Sequence, residues 1–168
     1  AGAYLGMYRG VVEDTQDPEE RKRYRVRVIP VFPNEIPTKS LPWAESCVFG
    51  GRSFGDLPHY AKDDRVWVSF EGGDRRFPVI MGGWLSDYTG MNDIPSEITE
   101  DYATTQERWL RMDRKGNKVL MSPLPDESGV YIESGSNFLE VRQHDDTILL
   151  RSNKRIILDA PKVDITGE

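Results

Sequence analysis

The chain has 168 residues and a formal net charge of −6, with 38% hydrophobic and 30% charged residues. This length allows one ordinary domain with an appendage, and the 15 glycines and 11 prolines favour strands and turns over helices. No apolar run approaches the roughly 18 residues that a membrane helix needs, and the first residues lack the apolar core of a secretory signal. We therefore expect a soluble, β-rich protein that is made in the cytoplasm.

Residues 4–85 show a pattern of short strands separated by turns. The segment "RYRVRVIPVF" alternates apolar residues with Arg23, Arg25 and Arg27, which predicts a strand with one buried and one solvent-exposed face. After a proline-rich loop, "RVWVSFEGGDRRFPVIMGGW" predicts two strands joined by a hairpin-type turn. About five strands with glycine at the bends suit a small closed barrel of the OB type better than a sandwich of seven or more strands.

Few residues in this chain are suited to catalysis or metal binding. Cys47 is the single cysteine, so no intrachain disulfide or cysteine-based zinc site can form, and we expect it to be a small buried apolar residue. Of the two histidines, His144 stands in "HDD", where a turn explains the cluster better than a metal site does. No nucleophile elbow, P-loop or dinucleotide fingerprint is present. The sequence predicts no enzyme, no cofactor and no metal.

Residues 86–106 are polar and weakly periodic, which predicts a linker; the alternative is a short helix across residues 96–110. The charge also changes along the chain. Residues 1–86 carry 12 basic and 12 acidic residues, whereas residues 87–168 carry 10 and 16, so the whole excess lies in the second part. This acidic excess argues against wrapping nucleic acid, because affinity for phosphates comes mainly from basic groups.

Residues 107–168 contain an internal repeat of short strands. Apolar residues recur in pairs two positions apart, separated by turn-type residues, and from the second pair onward the pairs follow one another at steps of 9, 9, 8 and 7 residues. The pairs are Val119/Met121, Val130/Ile132, Leu139/Val141, Ile148/Leu150, Ile156/Leu158 and Val163/Ile165. Such strands are too small to form a core alone, so each repeat has to bury its face against a neighbour.

Three arrangements can bury these faces: a solenoid of one chain, a flat meander on the first domain, and an intertwined three-sided β-prism of three chains. The prism is favoured because three copies bury more apolar surface without lengthening any strand and leave no edge unpaired. The residues predicted to line the trimer axis are Ile132, Leu139, Val141, Ile148, Leu150, Ile156, Leu158, Val163 and Ile165. Leu149 and Ile157 are then apolar but outward-facing, unless the register is reversed.

Several motifs of residues 4–85 occur together in a known family. "GVVED" opens the first strand, "DP" lies in the turn, and "RYRVRV", "LPWA", "DRVWVSFEGGD" and "PVIMGGW" follow in order. In combination they resemble the N-terminal OB domain of the central spike proteins of contractile-tailed bacteriophages, which are relatives of the VgrG spike of type VI secretion. The repeated segment from residue 137 onward is similar to the start of the trimeric β-helical needle of that family.

This resemblance implies an all-β chain with an OB-fold domain at residues 1–85, a linker at 86–106 and a trimeric β-helical spike at 107–168. It implies a homotrimer in the virion tail baseplate, seated under a trimeric hub protein and making transient contact with the host membrane. Some family members carry a lysozyme-type domain between barrel and needle, and residues 86–106 are too short for one. The terminus "DITGE" lacks a His-x-His pattern for a metal, so a tip protein of the PAAR-repeat type is the expected cap.

Two alternatives remain at the level of sequence. One is the spike of a type VI-like or other contractile injection system. The other is an OB-fold protein that binds single-stranded nucleic acid, in which Trp43, Trp67 and Trp84 would stack bases beside the arginine stripe. Neighbouring acidic residues offset those arginines, and the expected partners therefore include no nucleic acid.

Overall fold

The computed structural model describes residues 2–87 and 93–167, which form two compact units, Ala1–Asp93 and Ile94–Glu168. Both units are built almost entirely from β-strands, so the all-β class predicted from the glycine content and the period-2 patterns is confirmed. In the described residues, no helix is long and apolar enough to cross a membrane.

The first unit contains a closed barrel of five strands and a separate two-stranded hairpin. The strands in chain order are β1 (Tyr8–Asp14), β2 (Tyr24–Arg27), β3 (Trp43–Ser46), β4 (Phe49–Gly51), β5 (Phe54–Asp56), β6 (Arg65–Phe70) and β7 (Pro78–Gly83). The barrel order is β1-β2-β3-β7-β6, and β6 closes the barrel by pairing with β1. All neighbours are antiparallel except β3 and β7, which run parallel. The predicted OB-type barrel is therefore confirmed.

The barrel interior is filled by alternate residues of its strands, as the period of two requires. In β6 the side chains of Val66, Val68 and Phe70 are buried, while the residues between them are half-buried. At Gly10 of β1 an added Cβ would lie 2.5 Å from a methyl carbon of Val26, so only glycine lets the two strands approach at this point. The core also contains both aromatic and aliphatic residues from the loops that cross the barrel ends.

The hairpin β4–β5 was not predicted from the sequence. Its strands pair only with each other, with Gly50 opposite Gly55, where an added Cβ on Gly55 would lie 2.5 Å from the Gly50 Cα. Phe49 and Phe54 are 89% and 67% exposed, so the hairpin presents its aromatic rings to solvent. Cys47, which precedes it, is exposed, and the prediction that it is buried was wrong: Cys47 lies just after the end of β3, where its backbone amide still donates to the Ile80 carbonyl at 2.8 Å.

The second unit begins with two helices of a single turn and continues as an antiparallel sheet. Its elements are α1 (Ser96–Thr99), α2 (Tyr102–Thr105), β8 (Trp109–Met112), β9 (Lys118–Ser122), β10 (Gly129–Ser134), β11 (Asn137–Arg142) and β12 (Thr147–Arg151). The sheet order β12-β11-β10-β9-β8 follows the chain, which makes it a simple meander. In a single copy of the chain, each of these strands therefore pairs with the strands that precede and follow it in sequence.

The predicted linker, residues 86–106, contains the single-turn helices α1 and α2, and residues 88–92 within it lie outside the described residues. Its role as a linker stays a prediction, whereas one expectation about the other end of this unit needs correction. The repeat also predicted strands at Ile156/Leu158 and Val163/Ile165, but residues 152–167 form no strand. A strand needs a hydrogen-bonded neighbour, and this tail makes no ladder pairing within one copy of the chain.

Candidate assembly interface on the C-terminal sheet

Strand pairing collects the predicted apolar pairs on one face of the sheet. Residues that lie opposite each other in a ladder point to the same side, so the register defines two rows that cross four strands. The rows are Val119, Ile132, Leu139 and Leu150, and Met121, Val130, Val141 and Ile148. At the β8 edge the pairing adds Arg111 to the first row and Trp109 to the second. We call these residues the apolar face.

The apolar face is not covered by the described residues of one copy, 2–87 and 93–167. Leu139 is half-buried, and the exposed fractions of the other seven aliphatic residues run from 37% for Val130 to 74% for Ile148. Trp109 at the edge is 73% exposed. Isolated exposed apolar residues are common on soluble proteins, but a contiguous array of this size marks a surface that another molecule covers.

The opposite face of the same sheet differs because the chain itself packs on it. Leu120 on this face is 8% exposed, the lowest value among the apolar residues of the sheet. Lys118 donates a hydrogen bond to the Glu97 carboxylate in α1 and lies 3.6 Å from Glu133 Oε2. The hydrogen bond from Lys118 lowers the pKa of Glu97, which keeps the pair charged near neutral pH.

Arg108 fixes the segment that follows α2 to the same region of the sheet unit. Its guanidinium donates to the Glu97 carbonyl at 2.9 Å and to Glu127 Oε1 at 2.6 Å. The Thr105 hydroxyl, which is buried, lies 2.7 Å from the Ile98 carbonyl and closes the turn between α1 and α2. One face of the sheet is therefore packed and hydrogen-bonded by residues 94–108, whereas the apolar face has no such cover in the part of the chain that the structure describes.

Five of the nine residues predicted to line the axis lie on the apolar face: Ile132, Leu139, Val141, Ile148 and Leu150. The other four, Ile156, Leu158, Val163 and Ile165, lie in the exposed tail after β12. Ile156 borders the apolar face, since it lines an open depression together with Leu139 and Leu150. Whether these residues line a trimer axis stays a prediction.

The register of β12, which the sequence left open, is defined by the pairing. Ile148 stands opposite Val141 and Leu150 opposite Leu139, so both lie on the apolar face, while Leu149 stands opposite Glu140 on the other face. Strand β8 was missed, and with it Trp109. The alternation in "WLRM" before the turn "DRKGN" was a signal that could have identified it.

The arginine stripe of β2 is not the solvent-exposed face that the alternation predicted. Arg27 is 8% exposed, and its guanidinium donates hydrogen bonds to both carboxylate oxygens of Glu13, at 2.8 and 2.9 Å. Its hydrogen bond lowers the pKa of Glu13. Arg23 forms a bidentate pair with Asp17, at 3.0 and 2.9 Å. Guanidinium groups paired in this way donate their hydrogen bonds to carboxylates, so these donors are not available to bind phosphates.

The tryptophans proposed as base-stacking platforms are engaged with arginines. The Arg25 guanidinium lies 4.4 Å from the ring centre of Trp43, and that of Arg9 lies 4.5 Å from Trp84 and 5.4 Å from Trp67. The contacts of Trp43 and Trp67 join neighbouring strands of the barrel, and Trp84 lies just after the end of β7; all three are cation–π contacts. The geometry therefore lends no support to a groove of free arginines and aromatic rings.

The histidines have neighbours that suit turns and packing. His144 Nδ1 lies 3.2 Å from the Ser128 carbonyl oxygen, and His59 Nδ1 lies 3.4 Å from the Tyr24 hydroxyl. Across residues 2–87 and 93–167, no group of three or more histidine, cysteine, aspartate or glutamate side chains is arranged to hold a metal ion.

Comparison with known proteins adds one match, and it falls on the barrel. No curated protein matches the chain. The family model described as the type VI secretion system/phage-baseplate injector OB domain matches residues 8–85, from the first residue of β1 to just beyond the end of β7. The match is confined to the barrel, and it supports a structural role of the kind that injector baseplates have. Residues 8–85 are thus similar to the OB domain of phage-baseplate and type VI injectors.

Proposed function

We propose that the protein is the trimeric central spike of a contractile phage tail, which pierces the host envelope when the tail contracts. The observation that carries the proposal is the apolar face, an array of eight aliphatic side chains on a sheet whose other face is packed by the same chain. Three copies that turn these faces toward a common axis would bury them all. The family match of the barrel supports a baseplate setting.

The role is mechanical and not enzymatic. A narrow trimer with paired strand edges is rigid, because interchain burial and backbone hydrogen bonds resist bending together. The barrels would attach the spike below a trimeric hub at the end of the tail tube, and the tail after β12 would lead to a tip protein of the PAAR type. The spike of a type VI-like injection system is the second candidate, because the matched family covers both kinds of injector.

The test is the mass of the protein in solution. Sedimentation or mass photometry is expected to give three times 19.2 kDa. Ile148→Asp places a charge in the apolar face and should yield monomers with a folded barrel, since burying an unpaired charge costs several kcal/mol. Thr147→Asp, next to it on the opposite face and beside Arg142, is the matched control and should remain trimeric. A wild-type monomer, or a trimeric Ile148→Asp variant, contradicts the proposal.

Two assays separate the remaining functions. A gel shift with single-stranded DNA at low salt should show no complex, because the arginines of β2 are paired with carboxylates or stacked on Trp43. A murein-clearing assay should show no lysis. A strong shift that salt abolishes would favour the nucleic-acid-binding alternative, and clearing would indicate a hydrolase.

A further inference from the structure

The turns of the C-terminal sheet lie alternately at its two ends, because the sheet is a meander. Strand pairing places residues 113–117, 135–136 and 151–155 at one end of the strands, and we call them the basic edge. It places residues 123–128 and 143–146 at the opposite end, and we call them the acidic edge. Charges that are mixed along the sequence are therefore separated in the sheet.

The two edges carry opposite net charges. The basic edge contains five lysines or arginines and one aspartate, whereas the acidic edge contains four carboxylates and neither lysine nor arginine. The cations are Arg114, Lys115, Arg151, Lys154 and Arg155, and the carboxylates are Asp126, Glu127, Asp145 and Asp146. The one aspartate of the basic edge, Asp113, accepts hydrogen bonds from backbone amides of its own turn.

Several of these charges are exposed and have no partner on the same copy. In the part of the chain that the structure describes, the side chains without an ion pair are Lys115, Arg151, Lys154 and Arg155 on the basic edge and Asp126 and Asp146 on the acidic edge. Glu127 and Asp145 are paired, with Arg108 at 2.6 Å and with Arg142 at 3.4 Å. Like charges close together repel one another, so each edge is stabilised when opposite charges approach it.

Both edges border the apolar face. Arg151 and Arg155 line the open depression that also contains Leu139, Leu150 and Ile156. At the other end, the row of the apolar face that ends at Ile148 is one residue away from the start of the acidic turns. A second copy that covers the apolar face therefore also approaches these charges.

The charge pattern distinguishes between ways of bringing copies together. Rotation about an axis that crosses the strands, along the direction of the ladders, places the basic edge of each copy beside the acidic edge of the next. Rotation about an axis along the strands places like edges together, which is repulsive. The first arrangement leaves every copy pointing in the same direction, and its head-to-tail contacts close into a ring when the rotation is three-fold.

We propose that the basic edge of one copy binds the acidic edge of the next copy, and that three such contacts join the sheet units in parallel. This inference rests on the proposed trimer and adds the side chains that determine its order and direction, with Lys154 and Arg155 facing Asp126 and Asp146. The turns of the two edges are offset by one strand, so the turns of one copy face the gaps between the turns of the next.

The test reverses the unpaired charges of one edge at a time in the full chain. Lys154→Glu/Arg155→Glu and Asp126→Lys/Asp146→Lys are each expected to raise the concentration at which the trimer dissociates by at least about tenfold, because attraction at all three contacts is replaced by repulsion. The variant with all four substitutions exchanges the charges of the edges and should recover most of the loss. Mass photometry over a dilution series measures the midpoints.

The matched control is Lys39→Glu/Arg52→Glu, which makes the same change in net charge at two exposed cations of the barrel unit and should leave the midpoint unchanged. Wild type should dissociate more readily in about 1 M than in about 0.1 M NaCl, since the Debye length falls from ~10 to ~3 Å.

The possible failures have different signatures. A wild-type monomer contradicts the trimer itself and this inference with it. A wild-type trimer whose midpoint moves neither with salt nor in the two double variants overturns the edge contacts alone and leaves the trimer standing. Double variants that dissociate without recovery in the fourfold variant also overturn the edge contacts, since the charges would then not act across the contact. Recovery cannot come from misfolding, because the fourfold variant contains every substitution.

Discussion

At the scale of single residues, Asp17 organises the β1–β2 loop. One carboxylate accepts hydrogen bonds from the backbone amides of Glu19, Arg21 and Arg23 and from the Arg23 guanidinium. The Asp17 side chain is 3% exposed. The hydrogen bond from Arg23 holds the pKa of Asp17 far below its usual range, and the backbone amides lower it further. The conformation of the loop therefore depends on the ionised form of the Asp17 side chain.

The stability of the barrel should reflect this pKa. An ionised carboxylate with a lowered folded-state pKa stabilises the fold above its unfolded pKa of about 3.9, and this stabilisation is lost as the pH falls toward the folded value. We expect Asp17→Asn to lower the melting temperature at neutral pH and to differ less and less from wild type below about pH 4. Melting curves followed by circular dichroism between neutral pH and pH 2 measure the difference.

The control for this experiment comes from the same loop. Glu19→Gln removes a carboxylate whose side chain is 58% exposed and whose ion pairs with Arg21 and Arg23 are at the surface. Its melting temperature should stay close to wild type at every pH, since exposed ion pairs contribute about 0–1 kcal/mol. A constant difference between Asp17→Asn and wild type down to the lowest pH would show that the ionised carboxylate is not what stabilises the loop.

At the scale of elements, the sequence predicted what repeats locally and missed what depends on distant partners. The spacing of two between apolar residues correctly assigned faces in β6 and in β9 to β12, because alternation along a strand requires no knowledge of the neighbour. The same alternation misjudged Arg27, whose burial depends on Glu13 in β1 and on the Pro33 carbonyl at 2.7 Å. The tail after residue 151 carries the same pattern, yet it has no strand to pair with.

The β4–β5 hairpin gives a prediction at the same scale. Gly55 has a φ of +127°, and a Cβ added to it would lie 2.5 Å from the Cα of Gly50. Gly55→Ala should therefore open the hairpin. Because the hairpin shares no residue with the barrel core, the melting temperature should change little. Hydrogen exchange followed by NMR should lose protection between Phe49 and Asp56 only. Gly83→Ala, where the nearest atom lies at 3.5 Å, is the control, and loss of barrel protection in Gly55→Ala would contradict this account.

At the scale of the whole molecule, the two units bury their apolar residues very differently. Of the hydrophobic side chains that are buried in the described residues, all but Leu120 belong to the barrel unit. A core of this kind supports independent folding, whereas a sheet with one exposed apolar face does not reach the burial that offsets chain entropy. The barrel core is therefore formed within one copy, whereas the sheet unit leaves most of its apolar residues exposed.

Separate fragments should show this difference. Residues 1–93 alone are expected to melt cooperatively at a temperature that does not depend on concentration, because the barrel core lies wholly within them. Residues 94–168 alone should gain β-structure only as the concentration rises, since in the proposed trimer the other copies cover the apolar face. Circular dichroism over a dilution series, with sedimentation in parallel, measures both. A monomeric, cooperatively folded 94–168 fragment would contradict this division.

The meander order of β8 to β12 also has a kinetic consequence. Each strand pairs with its neighbour in the chain across a short turn, so the hydrogen-bond ladders close through local contacts, which form early and quickly. In the proposed trimer, covering the apolar face requires further copies of the chain and comes later. In the proposed trimer, a newly made chain would therefore pass through a short-lived stage in which the strand ladders form and reopen while the apolar face is bare, and such intermediates are prone to aggregate. The rate of synthesis in the cell would then determine the fraction of chains that assemble into trimers before they aggregate.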